Sequence, residues 1–253
     1  NQGAPAVGSA VAGVELLARN LSGWGDTASA VVTRSGGSEN IDLGWQLPLA
    51  ARSPWLQLRV ARGNASVVEE PLDSLDIASR VTSREAGLGW PVLDTLPHRL
   101  VLGATWAARD NRTTLGGLPF SFVAGEDSGH ARVQAWRWWQ ELTLRGSAGV
   151  LGLRSSLVQG RSNVAADSPV PGAPAARYRL WQGQAQATLP WGQQGAELRL
   201  RASAQHSRHT LVPLEQFSLG GRHTVRGYRE NTLVRDNGWA LSVEGLWPLL
   251  GGD

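Results

Sequence analysis

The sequence predicts an all-β chain, an antiparallel up-and-down transmembrane barrel that is incomplete, with about eleven strands of a larger barrel present. Three observations predict it. Apolar and polar residues alternate with a period of two along most of the 253 residues. Short turns alternate with longer polar loops. Tryptophans gather near the ends of the alternating segments.

The alternation is regular from the first third of the chain onward. Ile41, Leu43, Trp45 and Leu47 share one face, and Asp42, Gly44 and Gln46 the other. Leu56, Leu58 and Val60 oppose Gln57 and Arg59, and Leu100, Leu102, Ala104 and Trp106 oppose Arg99, Gly103 and Thr105. Further on, Gly183, Ala185, Ala187 and Leu189 alternate with glutamines and Thr188, and Leu198 and Leu200 with Glu197, Arg199 and Arg201. Many segments approach the roughly 9–11 residues that a tilted strand needs to cross a bilayer. No segment sustains a 3.6-residue period, so helix content is predicted to be small.

The connections come in two kinds. Asn20–Asp26, Pro48–Pro54, Pro91–Pro97, Gly146–Gly149 and Pro190–Gly195 are short and rich in turn residues. Asn64–Asp76, Arg109–Gly129, Gly160–Ala176 and Ser207–Gly238 are longer and more polar. This asymmetry fits periplasmic turns and extracellular loops. Period-two patterning alone also fits a soluble sandwich, but there the tryptophans belong at strand centres. Trp45, Trp55, Trp90, Trp191 and Trp247 lie beside short turns, and Trp106, Trp181 and Trp239 toward the other ends, which predicts an aromatic girdle at each membrane interface. The alternation from Ala131 breaks at Trp136, Trp138 and Trp139, which predicts a β-bulge there.

Composition removes several function classes. There is no Cys, so thiolate metal sites and cysteine nucleophiles are excluded. All the basic residues are Arg, and the net charge is only +3, so the high isoelectric point is no sign of nucleic-acid binding. No apolar run is long enough for a transmembrane helix, and no signal peptide is present. His206, His209 and His223 lie in a loop without acids at ligand spacing, and Ser155 and Ser156 lack a nucleophile elbow. The sequence therefore points to no enzyme, no metal and no cofactor.

The loop from Ser207 to Gly238 is too long for a hairpin turn and too apolar for a plain solvated loop. Gly220 and Gly221 end one β-like run, and Val225-Arg226-Gly227-Tyr228 sets a fixed charge between hydrophobes beside a glycine that permits a tight bend. Leu219-Gly220-Gly221, then Thr224 to Tyr228, then Asp236-x-Gly238, resembles the signature of the two-partner secretion translocators. These are the haemolysin-activation and filamentous-haemagglutinin exporters, in the superfamily that also holds the barrel assembly proteins.

The resemblance implies a barrel of roughly sixteen strands after two soluble periplasmic domains, with the motif loop between the eleventh and twelfth strands. Counting from Gly8–Arg19 as the second strand puts the loop there. Residues 1–253 then form one partial barrel domain, without the first and last strands, monomeric when complete. The resemblance further implies export of a secreted polypeptide of haemolysin or adhesin type across the outer membrane of a Gram-negative bacterium, without nucleotide hydrolysis. Loop 207–238 is expected to fold into the lumen with Arg226 as its anchor. In the family this arginine is held by an acid of the inner wall; within this chain Glu197, Glu244 and Asp236 are the candidates. Arg59, Arg154, Arg199 and Arg201 with these glutamates fit a polypeptide conduit or a generic charged pore wall. The alternatives are a barrel assembly factor and a passive diffusion porin; a soluble β-sandwich ranks last.

Overall fold

The structure is a computed structural model and describes residues 5–49, 54–126, 128–163, 170–192, 195–221, 224–225, 228–229 and 231–248. The alternating segments form strands β1 (Ala12–Arg19), β2 (Thr27–Arg34), β3 (Ser38–Pro48), β4 (Trp55–Ser66), β5 (Ile77–Asp94), β6 (His98–Leu115) and the two-residue β7 (Leu118–Pro119). They continue as β8 (His130–Gly146), β9 (Gly149–Ser162), β10 (Arg177–Trp191), β11 (Ala196–Ser207), the short β12 (Phe217–Leu219) and β13 (Leu233–Arg235), and β14 (Gly238–Leu246). Among the described residues helix is confined to three single 3-10 turns, at Pro5–Val7, Leu72–Leu75 and Pro213–Glu215.

The eleven long strands pair antiparallel in the order β1-β2-β3-β4-β5-β6-β8-β9-β10-β11-β14, an up-and-down sheet that does not close among the described residues. The first turn shows how the short connections are held. Asp26, buried, accepts hydrogen bonds from the Ser22 amide (2.8 Å), the Ser22 hydroxyl (2.6 Å) and the indole Nε1 of Trp45 (2.9 Å).

One face carries the apolar alternation and is exposed: Leu43, Leu58, Leu88, Leu102, Leu153 and Leu241 all lie on it, each more than a third accessible. In water such an area would not stay uncovered; in a bilayer it is the lipid-facing wall. Trp90, Trp191 and Trp247 are exposed at the short-turn end, with Trp191 and Trp247 in contact at 5.8 Å between ring centroids. Trp136, Trp138, Trp181 and Trp239 are exposed toward the long-loop end. On β10, Trp181 and Trp191 share a face ten residues apart. That is about 34 Å of strand, or ~24 Å of membrane at a 45° tilt, the height of an outer-membrane apolar band.

Two expectations need correction. Trp55 does not join the girdle. It sits opposite Gly89 on the face that carries Arg59 and Glu85, and its ring occupies the space where a Cβ of residue 89 would stand. Trp139 lies over Gly103 in the same way, donates to Thr105 Oγ1 (3.2 Å) and carries the Arg154 guanidinium 4.5 Å from its ring centroid.

The bulge predicted near Trp136 is also absent. β8 pairs without a register shift from Arg112↔His130 to His98↔Leu144 on one side, and from Val133↔Ser162 to Gly146↔Gly149 on the other. What inverts is the polarity of the two faces. Below Trp138 the outer face is apolar (Leu142, Leu144); above it the outer face is polar (Arg132, Gln134) and the inner face is apolar and buried (Ala131, Val133, Ala135). Strands longer than a bilayer leave the lipid, and there the inner face meets protein instead of water. A register shift does occur between β5 and β6, at Pro91 and Leu93, where proline cannot donate to the ladder.

Candidate functional site: the loop between β11 and β14

The long loop leaves β11 and turns back along the inner face of the sheet. Its first apolar residues, Leu211 and Val212, are 1% exposed and pack with Val133 and Ala135 of β8, Val158 of β9, and Tyr178 and Leu180 of β10. Val123 and Leu214 cover this cluster. The cluster explains the inverted polarity of β8, since the inner wall above the membrane is the floor on which the loop lies.

The 3-10 turn Pro213–Glu215 then carries a carboxylate into the wall. Glu215 is 5% exposed, and Arg109 Nη1 on β6 donates to its Oε1 (3.1 Å) and to the Leu214 carbonyl (3.1 Å). Burial lifts the Glu215 carboxyl above its ordinary range, against the pull of the Arg109 and Arg137 guanidinium groups. The pair continues as a ladder across the inner wall. Arg109 lies 3.9 Å from Glu85, Glu85 lies 3.6 Å from Arg59, and Arg59 Nε donates to Asp42 at 3.0 Å.

The base of the loop is fixed by polar side chains. Gln205, buried on β11, donates to the carbonyls of Glu215 (2.9 Å) and Asp236 (3.1 Å). Asp236 Oδ1 accepts from the Leu211 amide (2.9 Å) and from Gln216 Nε2 (2.9 Å). Asn237 accepts from the Ser207 amide (2.6 Å). Asp236 thus joins the descending and returning limbs. β12 and β13 pair as a small ladder between them.

At the far end, Gly220 (φ +119°) and Gly221 (φ +92°) occupy backbone that L side chains rarely adopt, and a Cβ on Gly220 would strike the Arg229 carbonyl. Gly221 bridges to Val225 and donates to the Tyr228 carbonyl (3.1 Å), while Thr224 Oγ1 donates to the Gly220 carbonyl (2.8 Å). Val225 and Tyr228 are 40% and 64% exposed. Arg226 and Gly227 lie outside the described residues, as does His223. Gly238 opens β14 beneath the Phe217 ring. Arg229 pairs with Glu69 at 3.0 Å, so the loop reaches the connection between β4 and β5.

The candidate acids are placed as follows. Glu197 accepts from Arg199 on its own strand (2.9 Å), and Glu244 stands opposite Arg199 in the β11–β14 register. Asp236 is committed to the loop base. The sequence reading did not single out Glu215, Arg109 or Gln205. The available signal was the apolar run Leu211-Val212-Pro213-Leu214, which marks burial beside a carboxylate that must then find a cation.

The model of the family "Haemolysin secretion/activation protein ShlB/FhaC/HecB" matches residues 128–250. No match was found among curated protein sequences. Among solved structures, CdiB from Escherichia coli superposes with a TM-score of 0.84 at 19% identity, over 100% of this chain and 47% of that one. CdiB from Acinetobacter baumannii gives 0.72 at 18% identity, over 93% and 42%. BamA from Haemophilus ducreyi lacking POTRA domains 1–3 gives 0.59 at 11% identity, over 96% and 51%. The chain thus spans about half the length of the solved structures it matches. Its fold is that of these Gram-negative outer-membrane barrels, and residues 128–250 are similar to the haemolysin secretion/activation proteins.

Proposed function

We propose that the complete protein exports a large secreted partner of haemolysin or adhesin type across the outer membrane, with loop 207–238 as the element that occupies and regulates the conduit. The observation that carries this reading is the loop itself. Its descending limb lies on the inner wall through Leu211, Val212 and Glu215, and its far limb reaches Glu69 on the opposite part of the sheet. A polypeptide crossing the lumen must pass this loop or displace it. The charged inner wall, with its Asp42-Arg59-Glu85-Arg109 ladder, would give an unfolded chain a polar surface without an apolar trap. In this reading export needs no nucleotide, because folding of the partner outside the cell draws it forward. Arg226, between Val225 and Gly227, is the anchor of the loop tip, with Gly220, Gly221, Tyr228, Asp236 and Gly238 shaping the approach to it.

The test is deletion of the gene in its host, followed by assay of the medium for a large secreted protein that the wild type releases. Loss of that protein from the medium, restored by the full-length gene, is the expected result. Unchanged secretion, with a loss of other outer-membrane barrels, would instead establish the assembly-factor reading, which the shared fold with BamA keeps in view.

A further inference from the structure

We propose that the outer wall of β8–β10, just above the aromatic row, is a binding site for the phosphate groups of the acylated glycolipid of the outer leaflet. The rows of the sheet make the case. Trp106 on β6 and Trp136 on β8 stand side by side on the outer face, followed by Gln159 on β9 and Arg179 on β10. The next row toward the long loops runs Ala108, Gln134, Arg161 and Arg177. A cleft of about 570 Å³ opens between these two rows, lined by both tryptophans and all three arginines.

The arginines are exposed, and their company is unusual. Arg161 and Arg177 are direct cross-strand partners. Like charges placed opposite on a sheet repel and destabilise the pair. Arg161 donates to Gln134 (2.6 Å), a neutral acceptor that does not relieve the repulsion. Among the described residues no carboxylate forms an ion pair with Arg161, Arg177 or Arg179. The arrangement recurs two strands away, where Arg80 on β5 opposes Arg112 on β6 on the same face. On the long-loop half of that face of β5, β6, β8, β9 and β10, Asp110 is the one carboxylate among the described residues, and it is shared by Arg112, Arg132 and His130.

The site lies one to two rows, about 7–14 Å of strand, beyond the tryptophans that mark the end of the apolar band. Acyl chains can therefore lie on the leucine wall below while phosphates meet guanidinium groups above. Guanidinium binds phosphate through paired, charge-assisted hydrogen bonds. A soluble anion would not use the adjoining apolar wall, so the occupant is the lipid.

The experiment uses the full-length protein, purified in detergent and immobilised. It measures retention of radiolabelled, bisphosphorylated lipid A against the same acylated disaccharide with its phosphates removed, and tests competition by inorganic phosphate. Wild type should retain the phosphorylated lipid at least tenfold better than the dephosphorylated one. Arg161→Gln/Arg177→Gln/Arg179→Gln should lower that retention by about a hundredfold, at roughly fivefold per arginine. Inorganic phosphate at the concentration of the lipid should not compete. Equal retention of the two lipids by wild type, or wild-type retention by the triple variant, would overturn the proposal; effective competition by inorganic phosphate would show a bare anion site instead. If the variant fails the heat-modifiability check for a folded barrel, the two-lipid comparison on wild type decides alone.

Discussion

Glu215 is where the loop meets the wall. Its carboxylate is 3% exposed as a side chain and stands 3.1 Å from Arg109. Removing one partner of a buried ion pair strands the other, at a cost on the order of 3–5 kcal/mol. Arg109→Ala should therefore undock the loop base, seen as faster protease cleavage between Ser207 and Gly238. Glu215→Gln, a neutral stand-in for the protonated acid that burial favours, keeps an acceptor for Arg109 and should leave the loop docked. The pH dependence has a definite sign. Burial raises the Glu215 pKa in the docked loop, so docking is strongest below the ordinary carboxylate value and weakens as pH rises through the raised one. Acidifying from neutral into the ordinary carboxylate range should slow proteolysis of the loop; faster cleavage would refute this sign. The pair was not legible in the sequence. Its members are 106 positions apart, and no local spacing announces a contact at that range.

At the scale of elements, β8 shows what period-two patterning conveys and what it conceals. The alternation located the strand, but a change in which face is apolar reads like a one-residue slip. The structure keeps the register and changes the neighbours, with lipid outside the lower half and the loop inside the upper half. The aromatic-over-glycine contacts of the inner face were likewise invisible, because they pair residues on different strands. They make sharp predictions. A side chain at Gly103 would meet the Trp139 ring, so Gly103→Val should displace the indole at a cost of about 1–3 kcal/mol, shifting tryptophan emission to the red. Gly160 lies under Tyr178, which is part of the cluster that seats Leu211 and Val212. Gly160→Val should therefore undock the loop as well as strain the sheet, whereas Gly103→Val should leave loop proteolysis unchanged. Val212→Asp would place an unpaired charge in the same cluster and should give the fullest exposure of the loop.

On the scale of the whole molecule, the up-and-down meander, the apolar outer wall and the turn and loop asymmetry are all legible in the sequence. Each depends on local alternation or local turn chemistry. The route of the loop is not, since it depends on contacts with β6, β8, β9 and β10, strands far from the loop in sequence that the sheet brings together. Under the proposed function this loop governs passage of a secreted partner, through an arginine the sequence already marks. The most direct test is Arg226→Ala in the complete protein, with the secreted partner measured in the medium and the barrel measured in the outer membrane. Export should be lost or severely reduced while barrel abundance and heat-modifiability stay at wild-type levels. Normal secretion by that variant at unchanged barrel abundance would contradict it.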